Sequence, residues 1–426
     1  MFSLLVARPS ARLRRTLAIS AALATLSAPS IGAAQTLSLS DALSRVASGD
    51  PSVAANAARL QAADAAITQA DVRPRDVVGV DVEDFMGTGP YSPVDRSQTT
   101  AWYERTWERG GKREARIGAA RSDLDATSTR NRLRMLDLMA QVQAAWVEAL
   151  AAEAAIPIAQ QRLAAAQRVE AETARRVDRA LDPLFAGERA KTAVAQARIA
   201  LDQARENARI ARATLASWWG GGADYSLDTA PFASVDAAMA PDDDSPDIAL
   251  LAAERDAAGA RVRLAETGNV SDPTARVGLR HFGQGNDVAI MIGGSIPLGS
   301  RSANRGNVAR ANAEAQAAEA EIAVVRAQIR RDVDRLVAER AALATEIARI
   351  DREVLPSAER AVMLVRDGFA RGGTAFTFLE INQASQALTD ARSRRVELLR
   401  RFHLAGVRLD RLTGRHAPLL ASAENR

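Results

Sequence analysis

Two stretches of this chain, residues 112–178 and 302–369, each read as one long helix, and that constrains the fold more than any other feature. At 1.5 Å per residue each helix is on the order of 100 Å long, a length no single globular core requires. In the second stretch apolar residues fall at Ile322, Val325, Ile329, Val333, Leu336, Leu343, Ile347, Ile350 and Val354, with Arg340 standing in the row. Their mean spacing of about 3.56 residues lies between the coiled-coil and free-helix periods. The first stretch carries one row through Leu133, Leu136, Ala140, Gln143, Val147 and Leu150, and a second through Met135, Leu138, Val142 and Trp146. Two apolar rows call for two packing neighbours, as in a ring of helices rather than an isolated pair. Pro157 and Pro356 sit at corresponding places, and each is expected to mark a kink or a break.

Each long helix belongs to a pattern written twice. Asp50-Pro51 opens a helix to about Asp71, and Ser245-Pro246 opens its counterpart. Proline suits a first helical position, where its missing N–H has no partner to lose. A pair of alternating segments follows each helix. Val78, Val80 and Val82 alternate with Gly79, Asp81 and Glu83, then Thr99 to Trp107 returns; Ala275, Val277 and Leu279 alternate before a Gly283-Gln284-Gly285-Asn286 turn and Val288 to Ile296. Such alternation predicts strands with unlike faces. After each rod the chain turns, at Arg179 to Pro183 and at Ala370 to Thr374, and a helix returns. Asp182 is placed to cap the first returning helix and Pro183 to start it. The first returning helix shows a seam of alanines (193, 197, 200, 204, 208, 211), the second a seam through Ile381, Leu388, Leu398, Phe402 and Leu409. Both end in glycine, Gly220 and Gly414.

The expected organisation is a signal segment over 1–34, a first repeat over 35–230 and a second over 231–426. The strand pairs fall at 76–107 and 274–297, the long helix hairpins at 112–219 and 302–413, and 231–247 reads as the linker. The signal reading rests on Arg8, Arg12, Arg14 and Arg15, an apolar run from Leu17 to about Ala28, and the small-residue exit Gly32-Ala33-Ala34. That run is shorter than the roughly 20 residues a membrane helix needs. The whole chain has a net charge of +4; cutting after Ala34 removes four arginines and no acid, which leaves zero. A basic nucleic-acid surface is therefore not indicated. With no cysteine there is neither a disulfide nor a thiolate metal site.

Export without a later run of 18 apolar residues leaves a periplasmic, external or outer-membrane place. Four strands cannot close a barrel, and open sheet edges in lipid cost several kcal/mol per unpaired group. If the strands enter a membrane, copies must therefore share one barrel. Two chains give eight strands, whose interior side chains fill the space, whereas three give twelve and leave a lumen.

The motifs Val82-Glu83-Asp84-Phe85, Gly110-Gly111-Lys112-Arg113 with Arg116, Ser295-Ile296-Pro297-Leu298 with Arg301, Asn304 and Gly306, and Phe369 with Gly372 before Phe378-Leu379-Glu380 resemble the TolC family of outer-membrane efflux channels. Their likeness is greatest to its heavy-metal (CzcC-like) branch, and it spans nearly the whole exported chain. Two places depart from the family pattern: Arg105 to Arg109 replaces a Gln-Pro-x-x-Leu run, and Arg179-Ala180 stands where a turn glycine is usual. The resemblance implies a mainly α fold with a small β part. Long antiparallel helical hairpins would form a trimeric α-barrel, continued by a 12-stranded outer-membrane β-barrel. It also implies a homotrimer working with a periplasmic adaptor and an inner-membrane RND-type pump, with no cofactor and no nucleic acid.

On that resemblance the two helix turns become the candidate site, at a periplasmic tip where an adaptor docks. Its residues are Arg176, Arg179, Asp182, Phe369, Gly372, Gly373 and Thr374. Catalytic chemistry has little support: His281, His403 and His416 share no metal-ligand spacing, and no serine stands in a nucleophile elbow. Asp81 and Glu83 share one strand face, expected to be the lumen side. Trp102, Tyr103 and Trp107 are expected to form an interfacial girdle. The alternative reading is a periplasmic adaptor, which would carry one helical hairpin between β-rich domains.

Overall fold

The computed structural model describes residues 36–91, 94–236, 245–371 and 377–416. Its elements run β1 (Thr36–Leu37), α1 (Leu39–Gly49), α2 (Pro51–Ala70), β2 (Val77–Glu83), β3 (Gln98–Thr106), α3 (Lys112–Asp178) and α4 (Leu184–Ser217). They continue with β4 (Ser226–Leu227), α5 (Pro246–Thr267), β5 (Thr274–Phe282), β6 (Val288–Ser295), α6 (Ser300–Arg349), a π turn (Ile350–Val354), α7 (Leu355–Ala370) and α8 (Phe378–Thr413). The signal segment, the Asp242–Asp244 run and Gly372, Gly373 and Thr374 lie outside the described residues.

Both long helices form. Each is entered through glycine in the left-handed region, Gly111 at φ 71° and Gly299 at φ 77°, where a Cβ would be strained. The prolines behave unequally. Pro157 lies inside α3, which continues as α-helix through it, so the expected break is absent there. The second rod reaches Pro356 only after the π turn. Among the described residues α3 is long and apolar enough by composition to cross a membrane. Its large apolar side chains from Leu136 to Leu150 pack into the core.

The core is a belt at mid-height. Leu136, Met139, Val142, Trp146 and Leu150 of α3 meet Leu343 and Ile347 of α6 and Leu398, Leu399 and Phe402 of α8. Leu215 closes it from α4. Both apolar rows of α3 are thus engaged. Arg340, the charged residue in the α6 row, is buried too: its guanidinium lies 4.4 Å from the Phe402 ring centre and Nη2 donates to the Asp236 carbonyl at 2.8 Å. Gly406 leaves it room.

Two parts of this belt carry little periodic signal. β1 pairs in parallel with β4, and α1 inserts Leu43 and Val46, although residues 36–49 gave no element from sequence. Part of the 231–247 linker is packed rather than free: Phe232 is buried, stacked on His403, and Ser245 is buried before α5.

β2, β3, β5 and β6 form one antiparallel sheet in that order. The two hairpins join through β3 and β5, with Thr99 opposite His281 and Tyr103 opposite Val277. β2 and β6 are the sheet's edges.

Candidate functional site

Strand alternation and register give the sheet two unlike faces. One aligns Val78 with Tyr103, Val277 and Ile292, and Val80 with Ala101, Leu279 and Ile290. It is uncovered, with Val78, Ile290 and Ile292 exposed by 77%, 73% and 84%. The other face carries Asp81, Glu83, Gln98, Thr100, Glu104, Arg276 and Arg280. There Arg280 donates to Glu83 at 2.7 Å, to the Gln98 side-chain oxygen at 2.9 Å and to the Thr100 hydroxyl at 2.9 Å. Arg276 donates to Glu104 at 2.9 Å and lies 3.9 Å from the Trp102 ring centre. Trp102 thus belongs to the polar face, because it alternates with Tyr103, and its ring covers Gly79. The expected three-residue girdle is corrected accordingly: Tyr103, whose hydroxyl donates to Asp76 at 2.5 Å, keeps the apolar side, and Trp107 lies just beyond the end of β3.

The join between sheet and rods is tied by the charged residues of the Gly-Gly motif. Lys112 Nζ reaches Asp272 at 2.6 Å and donates to the Val270 carbonyl at 2.7 Å. Arg113 pairs with Asp71 at 2.7 Å, and Arg116 pairs with Glu108 while donating to the Val72 carbonyl at 3.0 Å. Glu108 belongs to the segment that departs from the family pattern, and the pairing with Arg116 fixes that strand exit. Asn304 donates to the Ala265 carbonyl at 2.6 Å, which holds the start of α6 against the end of α5.

At the opposite end the structure brings three candidate residues together. Arg176, in the last turn of α3, donates Nε and Nη2 to the Asp182 carboxylate at 2.8 and 3.1 Å. Its Nη1 donates to the Phe369 carbonyl of α7 at 3.0 Å, and the guanidinium lies 4.6 Å from the Phe369 ring centre. Asp182 thereby holds the guanidinium firmly in its charged form, above its ordinary pKa. Asp182 is engaged by Arg176 and does not cap α4, whose N-cap is Pro183 without a side-chain cap. Ala180 holds the turn at φ 53°, the conformation a glycine would take freely.

Phe369 is 1% exposed, so Arg176, Asp182 and Phe369 bind the two tips to each other rather than facing outward. The outward surface consists of Arg179 with Leu181, Leu184 and Phe185; the last two are 81% and 61% exposed. That apolar group was not singled out in the sequence, although Leu181-x-x-Leu184-Phe185 beside a turn was a readable signal. At the second turn Thr377 caps α8, and Glu380 completes a reciprocal capping box with it.

The histidines are spread out. His281 Nε2 meets the Asn286 side-chain oxygen at 2.7 Å, His403 Nε2 meets the Phe232 carbonyl at 2.9 Å, and His416 lies near Asp410. Burial pushes the His403 pKa below its ordinary value. Among the described residues no three His, Asp or Glu gather as a metal site.

Comparison with known proteins agrees with this arrangement. The outer membrane efflux protein family model matches residues 96–221 and 243–415. The chain is 28% identical over 395 residues to the cobalt-zinc-cadmium resistance protein CzcC of Cupriavidus metallidurans, covering 90% of this chain and 91% of that one. It is 30% identical over 329 residues to the nickel-cobalt-cadmium resistance protein NccC of Alcaligenes xylosoxydans xylosoxydans, covering 74% and 73%. Among solved structures, the outer membrane protein VceC of Vibrio cholerae superposes with a TM-score of 0.68 at 21% identity, over 88% of this chain and 96% of that one. The family model takes in both strand pairs' return strands, both rods and both returning helices, and the chain therefore belongs to the outer membrane efflux protein family, as an efflux channel of the outer membrane.

Proposed function

We propose that this chain is the outer-membrane component of a tripartite export system, and that three copies build one conduit. The observation that carries the reading is the four-stranded sheet, uncovered and apolar on one face, polar on the other, and open at both edges. An isolated sheet of this kind would leave unpaired backbone groups in lipid. Three copies joined edge to edge give a twelve-stranded closed barrel wide enough for a lumen. The apolar face then meets lipid, the Asp81 and Glu83 face lines the lumen, and the rods extend the passage through the periplasm. Two internal repeats explain how one chain supplies two hairpins to the barrel and two to the tunnel. Residues 1–34 act as the export signal in this reading.

Exit through such a conduit is passive. In this reading energy and cargo selection belong to an inner-membrane pump of the RND type, joined through a periplasmic adaptor. Arg179, Gly372, Gly373 and Thr374 form the docking tip together with Leu181, Leu184 and Phe185. Arg176, Asp182 and Phe369 hold that tip in shape. Heavy-metal cations are the proposed cargo, supported by the resistances for which CzcC and NccC are named.

Fractionation tests the assembly: the processed chain should appear as an outer-membrane trimer, and recovery as a soluble periplasmic monomer would overturn it. A deletion strain tests the cargo. Unchanged tolerance to cobalt, zinc, cadmium and nickel removes the metal assignment but leaves the channel standing.

A further inference from the structure

The two ends of the sheet carry opposite charge. At the end that joins the rods, the segments 71–76, 105–116, 266–274 and 296–305 hold nine basic residues against six acidic ones, a net +3. At the far end, 84–97 and 283–287 hold Arg96 against Asp84, Asp95 and Asp287, a net −2. The rod-side segments flank β2, β3, β5 and β6, which lie side by side. A spacing of about 4.8 Å between neighbouring strands puts those four strand ends within about 15 Å of one another.

Most carboxylates at the rod end are already engaged. Lys112 holds Asp272, Arg113 holds Asp71, Arg116 holds Glu108, and Arg105 lies 3.9 Å from Asp76. Arg73, Arg75, Arg109, Arg301 and Arg305 are left over. All five are exposed, and their side chains make no hydrogen bond or ion pair among the described residues. Glu114 and Glu266, also exposed, are too few to balance them. Apolar side chains stand among these cations. Trp107 continues the alternation of Tyr103 on the apolar face; it is exposed, and its N–H donates to the Pro273 carbonyl at 3.0 Å. Ile296 continues the alternation of Ile290 and Ile292 and is exposed too, and Leu298 beyond it is 91% exposed.

We propose that this rod-side rim is a binding surface for anionic phospholipid. The proposal rests on the conduit reading, in which the apolar sheet face meets lipid, and adds which lipid gathers at its rod-side border. Trp107, Ile296 and Leu298 lie where hydrocarbon gives way to headgroups, and the five free guanidiniums receive the phosphodiesters. Guanidinium suits that task, because its fork matches two phosphate oxygens at once. A dissolved anion would use the cations but gain nothing from the exposed Leu298 beside them. A zwitterionic lipid would cover the apolar group but bring no net charge to the arginines. An anionic lipid complements both. Each arginine near an anionic surface strengthens attraction about fivefold.

The test uses the full-length assembly reconstituted in phosphatidylcholine bilayers, with phosphatidylglycerol or phosphatidylcholine brominated on the acyl chains as quencher of tryptophan fluorescence. Comparison with Trp107→Phe isolates the share of Trp107. Phosphatidylglycerol should be favoured there by about fivefold or more. Combining Arg109→Gln, Arg301→Gln and Arg305→Gln should bring the ratio towards one, while lysine at the same three positions should keep most of it. A ratio of one in the unmodified protein, or an unaltered ratio in the glutamine variant, overturns the proposal. If that variant does not assemble, a salt series on the unmodified protein decides. The ratio should fall as sodium chloride rises from roughly 0.05 to 0.5 M, and a salt-independent preference overturns the proposal. Loss of the preference to millimolar inorganic phosphate at constant ionic strength would reveal a free-anion site and overturn it likewise. No quenching of Trp107 by either lipid takes the sheet out of the bilayer and overturns the conduit reading instead.

Discussion

Replacing Arg176 with alanine should unfasten the tip without loosening the belt. The pair it makes with Asp182 is well shielded, the two side chains being 9% and 15% exposed. Removing one partner of a buried ion pair costs about 3–5 kcal/mol, chiefly because the other charge is left behind. Asp182 lies in a turn and can reach water, so the lower figure of about 3 kcal/mol applies here. The lost hydrogen bond to the Phe369 carbonyl and the lost ring contact fall within that figure. At 1.4 kcal/mol per tenfold, local opening should become about 100-fold more frequent. The assay is amide hydrogen exchange, read at Asp367 to Arg371, whose protection depends on the last turn of α7 staying closed. Amides beside Trp146 and Leu398 in the core should keep their rates. Arg176→Lys keeps the charge but loses the two-pronged geometry, so it should fall between. Less than a threefold change in Arg176→Ala at the α7 end would show that the contact does not hold the tip.

Three other outcomes follow from the same geometry. Ala180→Gly should slow exchange around the first turn by at most about fivefold, since Ala180 at φ 53° carries roughly 1 kcal/mol of left-handed strain, partly offset by glycine's larger unfolded-state entropy. Ile290→Arg on the apolar sheet face should cost about 2–4 kcal/mol in membrane stability, while Asp81→Asn on the polar face should be tolerated, as read by heat-resistant trimer in outer-membrane extracts. The third concerns pH. Burial lowers the His403 pKa in the fold, so the unfolded chain binds the extra proton more readily. Stability from the neutral ring is present above the unfolded value of about 6.5 and declines as pH falls from there through the lowered folded value. His403→Gln should flatten the decline of melting temperature between about pH 7 and pH 5; an unaltered slope would assign it to other groups.

How much of this was legible depends on the length over which a pattern repeats. The α6 row from Ile322 to Ile350 and the α8 row from Ile381 to Leu409 kept their phase for many turns, and both seams are buried or partly buried in the fold. Short elements gave no such signal. α1 has only 11 residues, and β1 and β4 have two each, so no periodicity could separate them from loop. Proline was an ambiguous mark, because Pro157 and Pro356 present the same chemistry to different surroundings. At the tip, residue type and turn position brought Arg176, Asp182 and Phe369 under suspicion, but not their direction. Arg176 is charged, yet it turns inward because Asp182 neutralises it and Phe369 covers it. Leu184 and Phe185 are apolar, yet they face out, while the neighbouring Ala186 and Ala190 take the buried positions at the start of α4.

That thin packing points to how the molecule divides its stability. Beyond Ala151, the buried residues of α3 are Thr173 and Arg176 alone, and α8 buries only Ile381 before Leu398, while α4 buries mostly small side chains there, Ala186, Ala190, Val194 and Ala197. Apolar area contributes about 25 cal/mol for each Å² removed from water, so the mid-height belt, built of large side chains, holds more of the cohesive energy than the tip-ward half with its alanine seam. Contacts made of buried apolar area resist gradual opening, because separating them leaves voids before water can enter. The more exposed polar ties, Arg392 with Glu359 and Arg395 with Asp351, behave differently, since water replaces each partner as it leaves. A structure that must stay assembled at one level and part at another is therefore expected to place its hydrocarbon and its ions in separate zones. This chain does so along the axis of its own helices.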